Sequence, residues 1–200
     1  MSKSKVIVGI DVDLTVVDSL TPWVCWFKAK TGIDFDPKSS AQYDLVPQMR
    51  KLCEDKGLIG FDPFEFWRSE DLYDSLEPID GAMKAIEEMK NEFFFDLDLV
   101  YVSHCVPSHE DSKRRFLARY SPKHSFVSTG DKGLVNYDIL IDDNTDVLKK
   151  AMIRRPQSIH VSYKKFNHWT PTPKGAIEMN EWDGEHLMGL VEQALNSKSV

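Results

Sequence analysis

Near its beginning the chain reads Val6-Ile7-Val8-Gly9-Ile10-Asp11-Val12-Asp13-Leu14-Thr15. The apolar, largely β-branched beginning of this stretch predicts a strand buried on both faces of a sheet, and two carboxylates follow that strand at once. A second stretch of the same form lies far downstream, Tyr137-Asp138-Ile139-Leu140-Ile141-Asp142-Asp143-Asn144. Paired aspartates repel each other unless a cation or phosphate chemistry uses them. The two stretches therefore predict a magnesium-dependent phosphoryl-transfer enzyme.

Strand-like and helix-like segments alternate along the rest of the chain. Short apolar runs predict further strands at about residues 97–103, 125–128, 138–142 and 158–162, and helix-length segments separate them. This alternation predicts an α/β fold with a doubly wound parallel sheet and right-handed crossovers. Residues 163–180 are predicted to form a long loop, and residues 182–196 a closing helix.

The segment of residues 17–76 differs from the rest, because it contains helical patterns and few strand-like runs. Its helical patterns are interrupted by Pro37, Pro47, Gly57, Gly60 and Pro63. We therefore predict a small helical cap over residues 17–76, inserted after the first strand. The catalytic core is predicted to consist of residues 1–16 and 77–200.

The charge and cysteine content of this 200-residue chain limit its possible partners and cellular location. The formal charge is −7, with 32 acidic and 25 basic residues, which argues against a nucleic-acid polymer as the partner. The three cysteines, Cys25, Cys53 and Cys105, form no CxxC pair, so we expect neither a disulfide framework nor a zinc site and predict a cytoplasmic location. The apolar run of residues 6–10 is too short for a signal peptide or a membrane span, and we expect no membrane association. A homodimer is left open.

The acidic residues at the two strand ends suit phosphomonoester cleavage. The carboxyl ends of parallel strands meet at one edge of a sheet, so we expect Asp11, Asp13, Ser103, Asp142 and Asp143 to lie together. Cleavage requires a nucleophile, an acid for the leaving oxygen and fixed positive charge. Asp11 is predicted to be the nucleophile, which forms an aspartyl-phosphate. Asp13 is predicted to protonate the leaving alkoxide and then to activate water.

A metal ion has a predicted ligand set in the same motifs. We expect Asp142, Asp11 and the backbone carbonyl of Asp13 to hold Mg²⁺, because this hard cation prefers a few oxygen ligands and water beside phosphate. Asp143 is predicted to support a metal-bound water.

Phosphate binding is assigned to three further residues. Ser103 is predicted to donate a hydrogen bond to a phosphate oxygen, and His104 is a further candidate for a substrate contact. Lys132 is predicted to place its charge against both the phosphate and Asp11. Lys113 is the alternative to Lys132, but its position on a predicted helix favours the protein surface.

Aromatic residues crowd the predicted cap. Packing in a small helical core accounts for most of them, because aromatic residues at helical spacing usually pack. A nucleobase, however, has a flat apolar face on which an aromatic ring can stack. We therefore predict that Phe27, Tyr43 and Trp67 contact the substrate.

These residues carry a resemblance to known enzymes. Asp11-Val12-Asp13-Leu14-Thr15, Ser103, Lys132 and Ile141-Asp142-Asp143 resemble the four ordered motifs of the haloacid-dehalogenase-like phosphohydrolases. Segments over almost the whole chain resemble the 5'(3')-deoxyribonucleotidases, namely Phe66-Trp67 through Leu76-Glu77-Pro78-Ile79-Asp80-Gly81-Ala82, Gly130-Asp131-Lys132 through Asp143, and Trp182-Asp183. The chain departs from that family at Ser103-His104, where the family has threonine followed by serine. Serine can still donate a hydrogen bond to phosphate.

The resemblance implies a phosphoric monoester hydrolase that dephosphorylates (deoxy)nucleoside monophosphates with Mg²⁺. One alternative is a phosphatase of the same superfamily that acts on another small metabolite, such as a sugar phosphate. Another is a non-catalytic binding protein of the same fold. The intact acidic set argues against that last alternative, because carboxylates held close together without a metal are costly.

Overall fold

A six-stranded parallel sheet forms the centre of the computed structural model, which describes residues 5–40, 42–167 and 169–198. Residues 1–4, 199–200 and 168 of the predicted core, and residue 41 of the predicted cap, lie outside the described residues. The strands are β1 (Val6–Ile10), β2 (Val17–Asp18), β3 (Glu77–Pro78), β4 (Leu97–Ser103), β5 (Ser125–Ser128), β6 (Ile139–Asp142), β7 (Ile159–Tyr163) and β8 (Ile177–Met179). The helices are α1 (Leu20–Thr31), α2 (Val46–Asp55), α3 (Ala82–Glu92), α4 (Glu110–Tyr120), α5 (Thr145–Arg154) and α6 (Gly184–Lys198).

Strand β1 lies at the middle of the sheet, as its apolar sequence predicts. The strand order is β5-β4-β1-β6-β7-β8, and Ile10 is in register with Tyr101 of β4 on one side and Ile141 of β6 on the other. Both faces of β1 are covered because the sheet has helices on each side. The main hydrophobic core includes Ile10 and residues of α3 and α6. A smaller cluster contains Leu140 and residues of α5, and Leu140 points to the opposite face from Ile141 because side chains alternate along a strand.

The inserted segment (residues 17–76) leaves and returns to the sheet through a short two-stranded ribbon. Strands β2 and β3 pair antiparallel, with Val17 opposite Pro78. Between them, α1 and α2 enclose a separate hydrophobic cluster that includes Trp23, Phe27 and Met49. The end of the segment instead packs with the main core through Leu72, Tyr73 and Leu76.

The structure corrects the predicted loop of residues 163–180. Three of these residues form β8, which pairs in parallel with β7 at the edge of the sheet. A three-residue edge strand is too short to show the two-residue periodicity by which longer strands are recognised. The predicted closing helix of residues 182–196 is observed as α6, which begins at Gly184 and ends at Lys198. A 3₁₀ turn, Pro107–His109, precedes α4. Within the described parts of the chain, no helix combines the length and apolar character needed to cross a membrane.

Candidate active site

Three carboxylates meet at the carboxyl-terminal edge of the sheet, as predicted for parallel strands. Asp11 follows the last residue of β1, Asp142 ends β6, and Asp143 comes next. Each offers a carboxylate oxygen within 4.8 Å of the others, and all three side chains are buried. The amide of Asp11 donates to the carbonyl of Ile141 (2.9 Å), which joins the two strand ends.

Lys132 supplies positive charge to this cluster. It lies on the 3₁₀ turn Lys132–Leu134, and its buried Nζ donates hydrogen bonds to Oδ1 of Asp11 and to Oδ2 of Asp142, the latter at 2.7 Å. Burial acts to lower the pKa of Lys132, but the charges of Asp11 and Asp142 hold that pKa above its ordinary value. One ammonium is therefore shared between two carboxylates, as the sequence-based placement of Lys132 beside Asp11 anticipated.

The remaining negative charge is only partly compensated. Burial raises the pKa of Asp11 to about 6 despite the opposing charge of Lys132, and the charges of Asp142 and Asp13 add to the rise. Burial, with the charges of Asp11 and Asp142, also raises the pKa of Asp143 well above its ordinary value. A buried set of oxygen donors with excess negative charge fits a hard divalent cation such as Mg²⁺. Asp11, Asp142 and Asp143 are the residues that could hold it.

A tight turn follows β1 and extends from Asp11 to Val17. Leu14 has a φ of 56°, in the left-handed region that non-glycine residues rarely adopt, and its amide donates to the carbonyl of Val17 (3.0 Å). The Thr15 hydroxyl donates to Oδ2 of Asp11 (3.3 Å), and Nε1 of Trp182 donates to the carbonyl of Thr15 (2.8 Å). The turn is therefore held from both the sheet and the C-terminal region.

The side chain of Asp13 lies beside a second lysine. Nζ of Lys113 donates to Oδ2 of Asp13 at 2.7 Å and to Oγ of Ser103 at 3.1 Å. The predicted surface position of Lys113 was therefore wrong, because its side chain is only 1% exposed. On α4, Lys113 shares the inward face with Phe116 and Leu117, three and four residues later.

Asp13 is held in its ionised form by its neighbours. Burial acts to raise its pKa, but the charge and hydrogen bond of Lys113, together with a hydrogen bond from the hydroxyl of Tyr73, hold this pKa below its ordinary value. The Tyr73 hydroxyl lies 2.6 Å from Oδ1 of Asp13. In this state Asp13 is a base, and it can serve as an acid only after it gains a proton.

A cavity of about 340 Å³ opens beside Asp13 and Lys113. This volume is within the range of small-molecule sites. One end is polar, where His104 and His109 also line the wall. The rest of the wall is mainly aromatic and apolar, and its residues include Leu20, Trp23, Tyr43, Leu45, Phe64, Trp67 and Trp169. The cavity thus joins a charged end to a surface on which a flat ring can lie.

The three aromatic residues predicted to contact substrate have different positions. Trp67 lines the cavity, where Trp23 packs against it edge to face with ring centroids 5.5 Å apart. Tyr43 lines the cavity too, and its hydroxyl donates to Oδ2 of Asp143 (3.1 Å), so it links the inserted segment to the acidic cluster. Phe27 is fully buried between Phe35 and Phe61 and is absent from the cavity wall. The predicted substrate contact of Phe27 was therefore wrong, because its ring fills the core of the inserted segment.

The sequence did not single out Tyr73 and Asn167, and it placed Lys113 at the surface instead of the site. The apolar residues Phe116 and Leu117 are a usable signal for Lys113, because they mark its side of α4 as buried. Tyr73 has no such signal, since its hydroxyl meets Asp13 across 60 positions of sequence. Asn167, fully buried, donates from Nδ2 to the carbonyl of Asp143 (2.6 Å) and also lies far away in sequence.

The sequence is similar to a known protein family and to two named proteins. Residues 5–193 match the family described as "5' nucleotidase, deoxy (Pyrimidine), cytosolic type C protein". A protein from Bacillus subtilis (strain 168) named 5'(3')-deoxyribonucleotidase is 26% identical over 145 residues, which cover 70% of this chain and 76% of that protein. A protein of the same name from Bacillus phage SPbeta matches to the same extent.

Solved structures share the fold. A HAD family hydrolase from Deinococcus radiodurans R1, solved with bound phosphate and sodium, has a TM-score of 0.61 at 12% identity and covers 97% of each chain. The HAD hydrolase YfnB from Bacillus subtilis, solved bound to magnesium, has a TM-score of 0.56 at 14% identity, with coverage of 94% of this chain and 99% of that one. These similarities confirm the predicted haloacid-dehalogenase-like sheet.

Proposed function

The chain belongs to the family of 5' nucleotidases described as deoxy (pyrimidine), cytosolic type C, and from this membership we propose that it is a Mg²⁺-dependent phosphomonoesterase acting on deoxynucleoside monophosphates. The observation that carries the proposal is the continuity of the buried acidic cluster with an aromatic cavity, through Asp13 and Lys113. The Bacillus subtilis relative named 5'(3')-deoxyribonucleotidase supports the same substrate class.

The metal is assigned to the acidic cluster. Asp11, Asp142 and the backbone carbonyl of Asp13 would hold Mg²⁺, as predicted from the sequence. Asp143, predicted to support a metal-bound water, would be a further ligand because its carboxylate lies in the same cluster. When bound, the ion would neutralise charge on the carboxylates and on the phosphate. The proposal is supported by the raised pKa values of Asp11 and Asp143, which reflect burial and repulsion between neighbouring carboxylates that a cation would relieve, and by the magnesium-bound hydrolase of the same fold.

The protein groups carry the two chemical steps. A carboxylate oxygen of Asp11 attacks phosphorus, the bond to the nucleoside oxygen breaks, and that oxygen takes a proton from Asp13. Water then attacks the phosphorus of the aspartyl-phosphate and gives a proton to Asp13, which releases phosphate and restores the Asp11 carboxylate. Ser103, Lys113 and Lys132 hold the phosphate oxygens, and exposed His104 is a further contact.

Substrate binding itself prepares Asp13 to donate a proton. Lys113 contacts both Asp13 and Ser103. A phosphate dianion beside Ser103 would engage the ammonium of Lys113 and place negative charge next to Asp13, and both changes favour the protonated carboxyl. The low pKa of Asp13 in the absence of substrate is thus compatible with an acid role.

The inserted segment is proposed to act as the cap that receives the base. Residues 17–76 would form this cap, and residues 1–16 and 77–200 the core. The β2-β3 ribbon at the base of the segment and its separate hydrophobic cluster support this division. Trp67 and Tyr43 would contact the nucleoside. A cytosolic location remains part of the proposal, in line with the family description.

A substrate comparison tests the proposal. With Mg²⁺, we expect kcat/KM to be higher for deoxynucleoside monophosphates than for glucose 6-phosphate or phenyl phosphate. Trp67→Ala should lower kcat/KM for nucleotides by roughly 5- to 150-fold more than for phenyl phosphate, because stacking of a base on an aromatic ring contributes about 1–3 kcal/mol. Trp26→Ala is the matched control, because Trp26 packs against Phe61 in the same segment outside the cavity wall. A wild-type preference for glucose 6-phosphate would reject the nucleotide assignment and favour the metabolite phosphatase.

A further inference from the structure

Tyr73 brings a hydroxyl from the end of the inserted segment to the candidate general acid. The hydroxyl donates to Oδ1 of Asp13 at 2.6 Å. The side chain is 2% exposed, and its ring is fixed on two sides. Nζ of Lys113 lies 4.7 Å from the ring centroid, and the ring of His109 packs edge to face at 5.9 Å. This hydroxyl therefore has little freedom to leave Asp13.

The two oxygens of Asp13 have different partners. Oδ2 accepts from Lys113 at 2.7 Å and from Ser103 at 3.3 Å, and both donors are assigned to the substrate phosphate in the proposed function. Among the described residues, Oδ1 accepts from Tyr73 alone. Once phosphate engages Lys113 and Ser103, the bond from Tyr73 is the contact that still orients the carboxyl group. Such a contact matters because the terminal torsion of an aspartate is broad.

We propose that Tyr73 is a positioning residue for Asp13, whose hydroxyl fixes the direction in which Asp13 presents its proton to the leaving oxygen. The inference rests on the proposed function, since it requires Asp13 to be the acid. Proton donation depends on the distance and alignment of donor and acceptor, so a carboxyl group that rotates freely loses part of its effect. The phenol of Tyr73 can keep donating, because burial and the charge of Asp13 raise its pKa well above the ordinary value.

The leaving group distinguishes positioning from a structural role. The alkoxide of benzyl alcohol or of a nucleoside is a poor leaving group and must be protonated as it leaves. The 4-nitrophenolate ion is stable enough to leave without a proton. A defect in proton donation therefore slows benzyl phosphate much more than 4-nitrophenyl phosphate, although the two substrates are similar in size. A loss of folded protein lowers both rates by the same factor.

The experiment is to measure kcat/KM of Tyr73→Phe on both substrates with Mg²⁺. This parameter reports the steps up to departure of the leaving group, and the ratio of the two values cancels the fraction of active enzyme. The phenylalanine ring keeps the contacts with Lys113 and His109. We expect kcat/KM to fall by roughly 10- to 100-fold on benzyl phosphate and by less than about 3-fold on 4-nitrophenyl phosphate. The loss on benzyl phosphate would be part of the roughly 10²- to 10⁴-fold rate contribution of a general acid.

Two reference variants complete the design. Asp13→Asn should show the same selectivity with a larger loss on benzyl phosphate. Tyr163→Phe should leave the ratio unchanged, because the hydroxyl of this fully buried tyrosine has no hydrogen-bond partner in the described part of the chain. Equal losses of Tyr73→Phe on the two substrates, or no loss on either, would overturn the inference and leave the proposed function standing. A wild-type protein that hydrolyses neither substrate nor any nucleotide would overturn the proposed function itself.

Discussion

Asp11 is a buried carboxylate whose negative charge is only partly compensated by its neighbours. Its side chain is 7% exposed, and the fold places two other carboxylates beside it with one lysine between them. Burial raises its pKa from 3.8 to about 6. Burial therefore disfavours the ionised form of Asp11, and a bound cation would favour it.

Asp11→Asn should change the pH dependence of stability. The raised pKa means that folded Asp11 binds its proton more tightly than unfolded Asp11, so its stabilising effect is complete below pH 3.8 and is lost as the pH rises through about 6. Asparagine lacks this titration. In chelator, we therefore expect the variant to gain stability relative to wild type between pH 4 and pH 8, by at most about 3 kcal/mol, since one pKa unit corresponds to about 1.4 kcal/mol.

Urea denaturation at pH 4, 6 and 8 measures this change. A stability difference between the two proteins that stays constant over this range would contradict the assigned pKa.

The same variant should have no measurable turnover, because the amide oxygen cannot form the aspartyl-phosphate. Turnover equal to that of wild type in a preparation free of other phosphatases would remove Asp11 from the nucleophile role.

Helix α5 begins shortly after β6, separated from Asp142 by Asp143 and Asn144 only. Asn144 is its N-cap, and the side-chain Oδ1 accepts from the amides of Asp146 (3.0 Å) and Val147 (3.2 Å). The amide of Asn144 in turn donates to Oδ1 of Asp142 (2.9 Å). The start of the helix thereby helps to orient a candidate metal ligand.

We expect Asn144→Ala to lower the free energy of unfolding by about 1 kcal/mol, because two helix amides lose their acceptor. Ser19→Ala is the control at the N-cap of α1, where the serine side chain makes no capping hydrogen bond and its Oγ has no partner among the described residues. Its effect should be smaller than that of Asn144→Ala, because the substitution removes no hydrogen bond of the serine side chain. Urea denaturation of both variants decides the matter, and equal effects would show that the cap on α5 contributes nothing of its own.

At the scale of the whole molecule, the site depends on the sheet. Asp11 directly follows the first strand, whereas Asp142 and Asp143 come 131 and 132 positions later. Their carboxylates meet because β1 and β6 are neighbouring parallel strands. A metal ion bound by all three would connect distant parts of the folded chain and would find no equivalent site in the unfolded chain.

Mg²⁺ should therefore raise the free energy of unfolding of the wild-type protein. At a concentration 100 times its dissociation constant, the expected gain is about 2.7 kcal/mol. Asp142→Asn should lose most of this response, and activity should disappear in chelator and return with Mg²⁺. Asp146→Asn is the control, because this carboxylate lies nearby on α5, is 81% exposed, and pairs only with Lys149 at 3.1 Å among the described residues. A thermal midpoint independent of Mg²⁺ in the wild type would contradict the proposed metal site.

The central strands of the sheet and the position of the acidic residues were predictable from the sequence, whereas the edge strand β8 was not. An apolar run such as Val6–Ile10 forms a central strand because burial on both faces requires it, and carboxylates after two such runs must meet once the strands are parallel and adjacent. The juxtaposition of Asp11, Asp142 and Asp143 was predictable for this reason, while the catalytic and metal-binding roles of these residues remain predictions.

The other side chains that reach the site became evident only from the folded structure. Lys113 was predicted to lie at the surface but turns inward on α4, Phe27 packs in the inserted segment instead of facing substrate, and the Tyr73 hydroxyl meets Asp13 from 60 residues away. Periodicity in a sequence reports which face of an element is buried, but not which distant element that face meets. Such contacts are set by how the inserted segment packs on the sheet, and local sequence patterns carry no record of that packing.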